Sequence, residues 1–141
     1  MRKTTALFAA LALCAAAAFG QALSFGLGDA GLEASLNELG ASAKLDLPGF
    51  TAEVSLQWGV PQAQVQATLA QGLAPAEAYL AAALASISKK PLDAVVAAYK
   101  KDKAAGWGAL AKSLGVKPGS KEFKALKDKT QASAAKAKKK K

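Results

Sequence analysis

Apolar and polar side chains alternate strictly across residues 39–58. Leu39, Ala41, Ala43, Leu45 and Leu47 are apolar at odd positions, and Phe50, Ala52, Val54, Leu56 and Trp58 at even ones, with the phase reversing across Pro48 and Gly49. A period of two is the spacing of a strand with one wet face. If Pro48-Gly49 closes an antiparallel hairpin, Leu47 faces Phe50, Leu45 faces Ala52, Ala43 faces Val54, Ala41 faces Leu56 and Leu39 faces Trp58, so one side is apolar throughout. The other side pairs Asp46 with Thr51, Lys44 with Glu53 and Ser42 with Ser55. The pattern therefore predicts a β-hairpin over residues 39–58. A helical reading stays open, because Phe50, Val54 and Trp58 also recur every four residues and Pro-Gly suits a two-residue hairpin less well than Asn-Gly.

Beyond residue 60 the pattern becomes helical. Three alanine-rich segments each open on a proline: PQAQVQATLAQG at Pro61, PAEAYLAAALASIS at Pro75 and PLDAVVAAYKKDK at Pro91. Proline suits a first helical turn, where its missing N–H is not needed. Trp107, Leu110, Ala111 and Leu114 predict a fourth, short amphipathic helix that Gly115 terminates. Pro118-Gly119 predicts a turn, and Ser120 an N-cap for a last short helix carrying Phe123 and Leu126. A lone hairpin is marginal and needs a cover. The expected fold is α+β, mostly α: the N-terminal hairpin packed on four to five short helices, with Trp58, Tyr79, Tyr99, Trp107 and Phe123 in the core.

The ends add a compartment and a charge. Arg2 and Lys3, an apolar run over residues 6–19, and small residues at Gly20 and Ala22 predict a secretory signal peptide over residues 1–22, so the protein is expected to be periplasmic or extracellular. Cys14 follows Leu13 rather than the small residue that lipoprotein processing requires. Past the leader there is no cysteine, and the chain has no histidine, which excludes disulfides, thiolate or imidazole metal sites, and Ser-His-Asp or Cys-His catalysis. One small globular domain is expected over residues 23–126. The net charge of +9 is uneven: residues 117–141 hold ten lysines against two acids, +8, whereas residues 23–116 hold seven lysines against eight acids, −1. Residues 127–141, rich in lysine and alanine with no large apolar side chain, are expected to be disordered or at most transiently helical.

The segment GWGALAKSLGVKPGSKEF, residues 106–123, invites three readings. A phosphate cradle requires a glycine-rich loop between a buried strand and a helix, which this spacing lacks. A helix-turn-helix over residues 107–126 would join two helices through a turn longer than the usual three or four residues, and its second helix opens without arginine, asparagine or glutamine for base edges. The plain reading makes the glycines turn residues and the aromatics core anchors. The ten acids show no pairing for general acid-base work, so no enzyme activity and no cofactor is expected. Lys112, Lys117 and Lys121, if they share a face, would extend toward Lys136, Lys138, Lys139, Lys140 and Lys141 as a candidate anion-binding surface.

GWGALAKSLGVKPGSKEFKALK, with the preceding APAEAYLAAALA and PLDAVVAAYKKDK, resembles a group of uncharacterised exported bacterial proteins that carry a related GWG-x-[IL]-A-K-x-L-G-[IV]-K-P-G-S-x-E-F segment near the C-terminus. The resemblance spans roughly residues 41–127 and implies no assigned activity. Those proteins often carry a histidine after the phenylalanine, where this chain has Lys124. The function expected is that of a small exported structural or interaction protein whose basic tail contacts anionic envelope polymers or a membrane surface. The alternative is a nucleic-acid binder using residues 107–126 and the tail; export disfavours nucleic acid as a partner.

Overall fold

Asp29 and Asp46 decide the N-terminal third. Asp29 Oδ1 accepts the Leu32 N–H at 2.8 Å, and Asp46 Oδ1 accepts the Gly49 N–H at 3.0 Å; each carboxylate caps a helix that starts immediately after it. In the computed structural model, which describes residues 23–140, the elements are α1 (Ala30–Ala43), α2 (Leu47–Trp58), α3 (Gln62–Ala70), α4 (Pro75–Ser88), α5 (Leu92–Lys101), α6 (Gly106–Ser113) and α7 (Lys121–Lys139). The leader expected over residues 1–22 lies outside the described residues, as does Lys141.

The hairpin over residues 39–58 does not form: residues 39–43 end α1, 44–46 make the corner and 47–58 form α2, and the described residues contain no strand, so the fold is all-helical and not α+β. The physical reason is visible in what is buried. Leu32, Leu36, Leu39 and Ala43 of α1, and Phe50, Val54 and Trp58 of α2, recur at three- and four-residue spacing and form the core-facing stripes. The other members of the apparent alternation point away: Leu45 is 75% exposed and Leu56 87%. Pro48-Gly49 is the first turn of α2, not a hairpin loop, and Pro48 has no N–H to leave unpaired there.

The three proline-opened segments become α3, α4 and α5. α4 is the central helix, touching α1, α2, α3, α5 and α7, and every residue from Ala78 through Ala85 on it is buried. Its alanines let neighbours close in. At Gly40 of α1 an added Cβ would stand 3.3 Å from the Ala76 Cβ, so that crossing is near its limit of approach.

The segment from Gly106 on is a set of joints. The Gly108 N–H donates to the Phe25 carbonyl at 2.9 Å, and the backbone of Gly26 lies so close that a Cβ on Gly108 would fall 1.9 Å from the Gly26 carbonyl oxygen. After α6, the Val116 N–H reaches the Ala111 carbonyl and the Gly115 N–H the Lys112 carbonyl, with Gly115 at φ +85°. That is the paired closure of a Schellman motif, and it seats Val116 in the core. Pro118 and Gly119, the latter at φ +86°, then supply the second and third positions of a turn closed by the Ser120 N–H on the Lys117 carbonyl. Ser120 Oγ accepts the Phe123 N–H and caps α7, as its position in the sequence predicts.

A second correction concerns the tail. The disorder expected from residue 127 onward is absent through Lys139, where α7 ends. Phe123, Leu126, Thr130, Ser133 and Ala134 are buried, and α7 packs on α1 and α4. Small side chains do what bulky ones usually do here: Thr130 returns its hydroxyl to the Leu126 carbonyl at 2.6 Å, leaving a smooth surface that a neighbouring helix can approach.

Candidate functional site

The candidate surface is α7 with its neighbours, and its lysines divide by what they touch. Lys127 Nζ meets Asp29 at 2.8 Å and Lys138 Nζ meets Glu38 at 3.6 Å; both partners belong to α1 or its cap. Lys129 Nζ sits 4.7 Å from the centre of the Trp58 ring and Lys140 Nζ lies 4.0 Å from Glu53; both partners belong to α2. Each pair of lysines is eleven residues apart, about three helical turns, so one row flanks α1 and the other flanks α2. The Gln57 amide adds a bond to the Lys129 carbonyl at 2.9 Å, and the Ser133 hydroxyl donates to Gln57 Oε1. These lysines straddle the bundle and fasten α7 to it.

Exposed ion pairs contribute little each, about 0–1 kcal/mol, so their chief effect is to set the rotation and register of α7. Asp29 shows the coupling most clearly. Its carboxyl is held below the ordinary carboxylate value by the Lys127 hydrogen bond first and the Leu32 N–H second. One side chain thus caps α1 and anchors α7.

The sequence-derived candidates separate accordingly. Lys138 and Lys140 are engaged with Glu38 and Glu53. Lys136 and Lys139 are exposed and make no ion pair among the described residues. Lys112 stands in the last turn of α6, Lys117 in the connection and Lys121 at the start of α7; all three are exposed, and no shared partner joins them into one site. Lys141 lies outside the described residues. Of residues 107–126, the part in α6 packs chiefly on α5 and the part in α7 on α1 and α4.

Periodicity concealed the apolar half of this face. Leu45 and Leu47 at the α1–α2 corner and Leu56 on α2 are 75%, 43% and 87% exposed, although the alternation assigned them to the core. Leu56 shares a shallow groove with Gln57, Ala132 and Lys136, between α2 and α7. Leu45 beside Lys140 and Leu56 beside Lys136 form a mixed apolar and basic surface. The one available signal was that in the helical reading of Phe50, Val54 and Trp58, Leu56 falls on the opposite side of the helix.

A second polar cluster, around Glu77, is internal. Glu77 Oε1 accepts the Ala74 N–H at 3.0 Å, and Oε2 accepts the Trp107 Nε1–H at 2.9 Å. The Trp107 ring stacks on Tyr99 with centroids 3.9 Å apart. Burial alone would push the Glu77 carboxyl up, but the bonds from Trp107, Ala74 and Tyr99 and the charge of Lys103 together outweigh it and leave the carboxyl below its ordinary value. Burial and the Glu77 carboxylate together raise the Tyr99 phenol. The contacts of this cluster join α4, α5 and α6.

Among the described residues no three His, Cys, Asp or Glu side chains come together as a metal site would require, and no helix is long and apolar enough to cross a membrane. Comparison with protein-family models, with curated proteins and with solved structures gives no match.

Proposed function

We propose that this protein is a small exported interaction module that rests on anionic membrane surfaces through the face shared by α2 and α7. The observation that carries the reading is the exposure of Leu45 and Leu56 on the side of the bundle where Lys140 and Lys136 project. Leucines that reach the acyl boundary contribute about 1.5–3 kcal/mol each when buried, and each lysine near an anionic surface contributes about 1 kcal/mol. A soluble polyanion would use the lysines and leave the leucines idle. Export rests on the leader-like first 22 residues and on the resemblance of residues 106–123 to exported proteins. No catalytic role and no cofactor belong to the proposal.

Flotation with vesicles tests it. The chain lacking residues 1–22 should float with vesicles containing about one-third phosphatidylglycerol at 0.1 M salt, not with pure phosphatidylcholine, and binding should fall at 0.5 M as screening shortens the reach of the lysines. The double substitution Leu45→Ser and Leu56→Ser should weaken binding at least tenfold. Failure to bind anionic vesicles, or equal binding to neutral ones, refutes the reading. Salt-sensitive binding indifferent to both leucines replaces it with a purely electrostatic polyanion contact, nucleic acid included.

A further inference from the structure

A cavity of about 220 Å³ lies where α1, its corner to α2, and the end of α7 meet. Its walls are apolar, with Leu39, Ala43 and Phe50 from the core and Ala137 from α7. Besides Asp46 and Lys140 at the wall, two buried polar atoms face it. Ser42 Oγ and Glu53 Oε1 are both buried and both without a hydrogen-bond partner, and both residues line this one cavity. Buried polar atoms are nearly always paired in folded proteins, so two orphans on one cavity wall mark groups that a bound molecule would satisfy.

Their chemistry restricts the molecule. An ionised carboxylate only accepts hydrogen bonds, so Glu53 Oε1 requires a donor, and the Ser42 hydroxyl can serve a second polar contact. The cation at this wall, Lys140, sits 4.0 Å from the other oxygen, Oε2, and its side chain is 68% exposed, so it leaves Oε1 unserved. Asp46 and Glu53 outnumber Lys140 among the charged lining groups, an excess of one negative charge. A cation is therefore favoured over a neutral donor, and an anion is repelled. The volume is about half again that of the roughly 150 Å³ cavity that holds benzene. That scales to about nine non-hydrogen atoms.

We propose that this cavity binds a small amphiphilic ammonium compound, a primary amine on an apolar body of about eight carbons, with its ammonium on Glu53 and its body against Leu39, Ala43 and Phe50. This inference stands apart from the membrane reading and survives its failure. Calorimetric titration of the chain lacking residues 1–22 with 2-phenylethylamine, 2-phenylethanol and phenylacetate, at pH 7 and fixed ionic strength, holds the apolar body constant while changing the head. The amine should bind with a dissociation constant of about 0.1–1 mM, the range set by fragment-sized ligands, the alcohol at least tenfold more weakly, and phenylacetate not measurably. Glu53→Gln should bring the amine down to the alcohol's affinity, and Ala137→Leu, which fills the cavity, should abolish binding of both. Phenylacetate binding as well as the amine, no binding of any compound at 10 mM, or amine binding unchanged in both variants overturns the proposal. The three-ligand series on the unaltered chain decides it even if a variant does not fold.

Discussion

Replacing Gly108 with alanine isolates the contact on which the GWG segment depends. Gly108 lies within α6, where alanine is otherwise favoured over glycine by roughly 1 kcal/mol, so any loss of stability comes from the added methyl group. That methyl would lie 1.9 Å from the Gly26 carbonyl oxygen and 2.7 Å from its carbonyl carbon, both backbone atoms that cannot swing aside. The segment ahead of α1 must therefore retreat, and it carries Phe25 and Leu27, which are only 2% and 3% exposed. Each contributes about 1.5–3 kcal/mol when fully buried, and the Gly108 N–H bond to the Phe25 carbonyl about 1 kcal/mol. Complete undocking would cost about 4–7 kcal/mol, and a partial retreat about 3. Gly106→Ala is the control: nothing lies within 4 Å of its Cβ position, but φ is +79°, so only the left-handed backbone cost of about 1–2 kcal/mol applies. Urea denaturation followed by far-ultraviolet circular dichroism should rank Gly108→Ala as the costlier change. A Gly108→Ala stability within about 0.5 kcal/mol of the parent, or a smaller loss than Gly106→Ala, would refute the reasoning.

Glu77→Gln should destabilise by about 1.5–3 kcal/mol, because the Trp107 indole and the Ala74 N–H lose a charged acceptor. The folded-state carboxyl lies below its ordinary value of 4.5, so its contribution is complete above that pH and fades as pH falls through the lower folded-state value; acid titrations of stability should lose that component in Glu77→Gln. Lys89 ends α4 at φ 58°, the one non-glycine residue with positive φ among those described. Lys89→Gly should stabilise by about 0.5–1 kcal/mol, the left-handed strain relieved less the extra freedom glycine has when unfolded, read as a higher urea midpoint.

What could be read from the sequence followed from capping and stop residues whose action is local. Pro61, Pro75 and Pro91 open or precede α3, α4 and α5, Gly115 closes α6, and Ser120 caps α7, each through a bond made within a few residues. Trp107 and Phe123 are buried as their positions on apolar stripes imply. The hairpin failed because alanine and serine are weak markers of inside and outside. Ala41 and Ala52, with the exposed Leu45, Leu47 and Leu56, completed an alternation that the buried large side chains alone, Leu32, Leu36, Leu39, Phe50, Val54 and Trp58, do not show. Asp46, placed as a strand residue facing Thr51, is an N-cap, and reading Asp-Leu-Pro-Gly as a helix start would have found α2. The lysine tail failed for the same reason in reverse. Its buried side chains are Thr130, Ser133 and Ala134, and its partners Asp29, Glu38, Glu53 and Trp58 lie some 70 to 100 residues away along the chain, beyond the reach of any local pattern.

The face proposed to meet membranes exists only if α7 is a docked helix and not a free polycation. Amide hydrogen exchange of the chain lacking residues 1–22, in solution without lipid, tests that directly. Residues 126–134 should be protected at least about a hundredfold over unstructured chain, in step with their neighbours in α1, with protection fading toward Lys139. Exchange of residues 127–139 at unprotected rates, while α4 remains protected, would contradict the account.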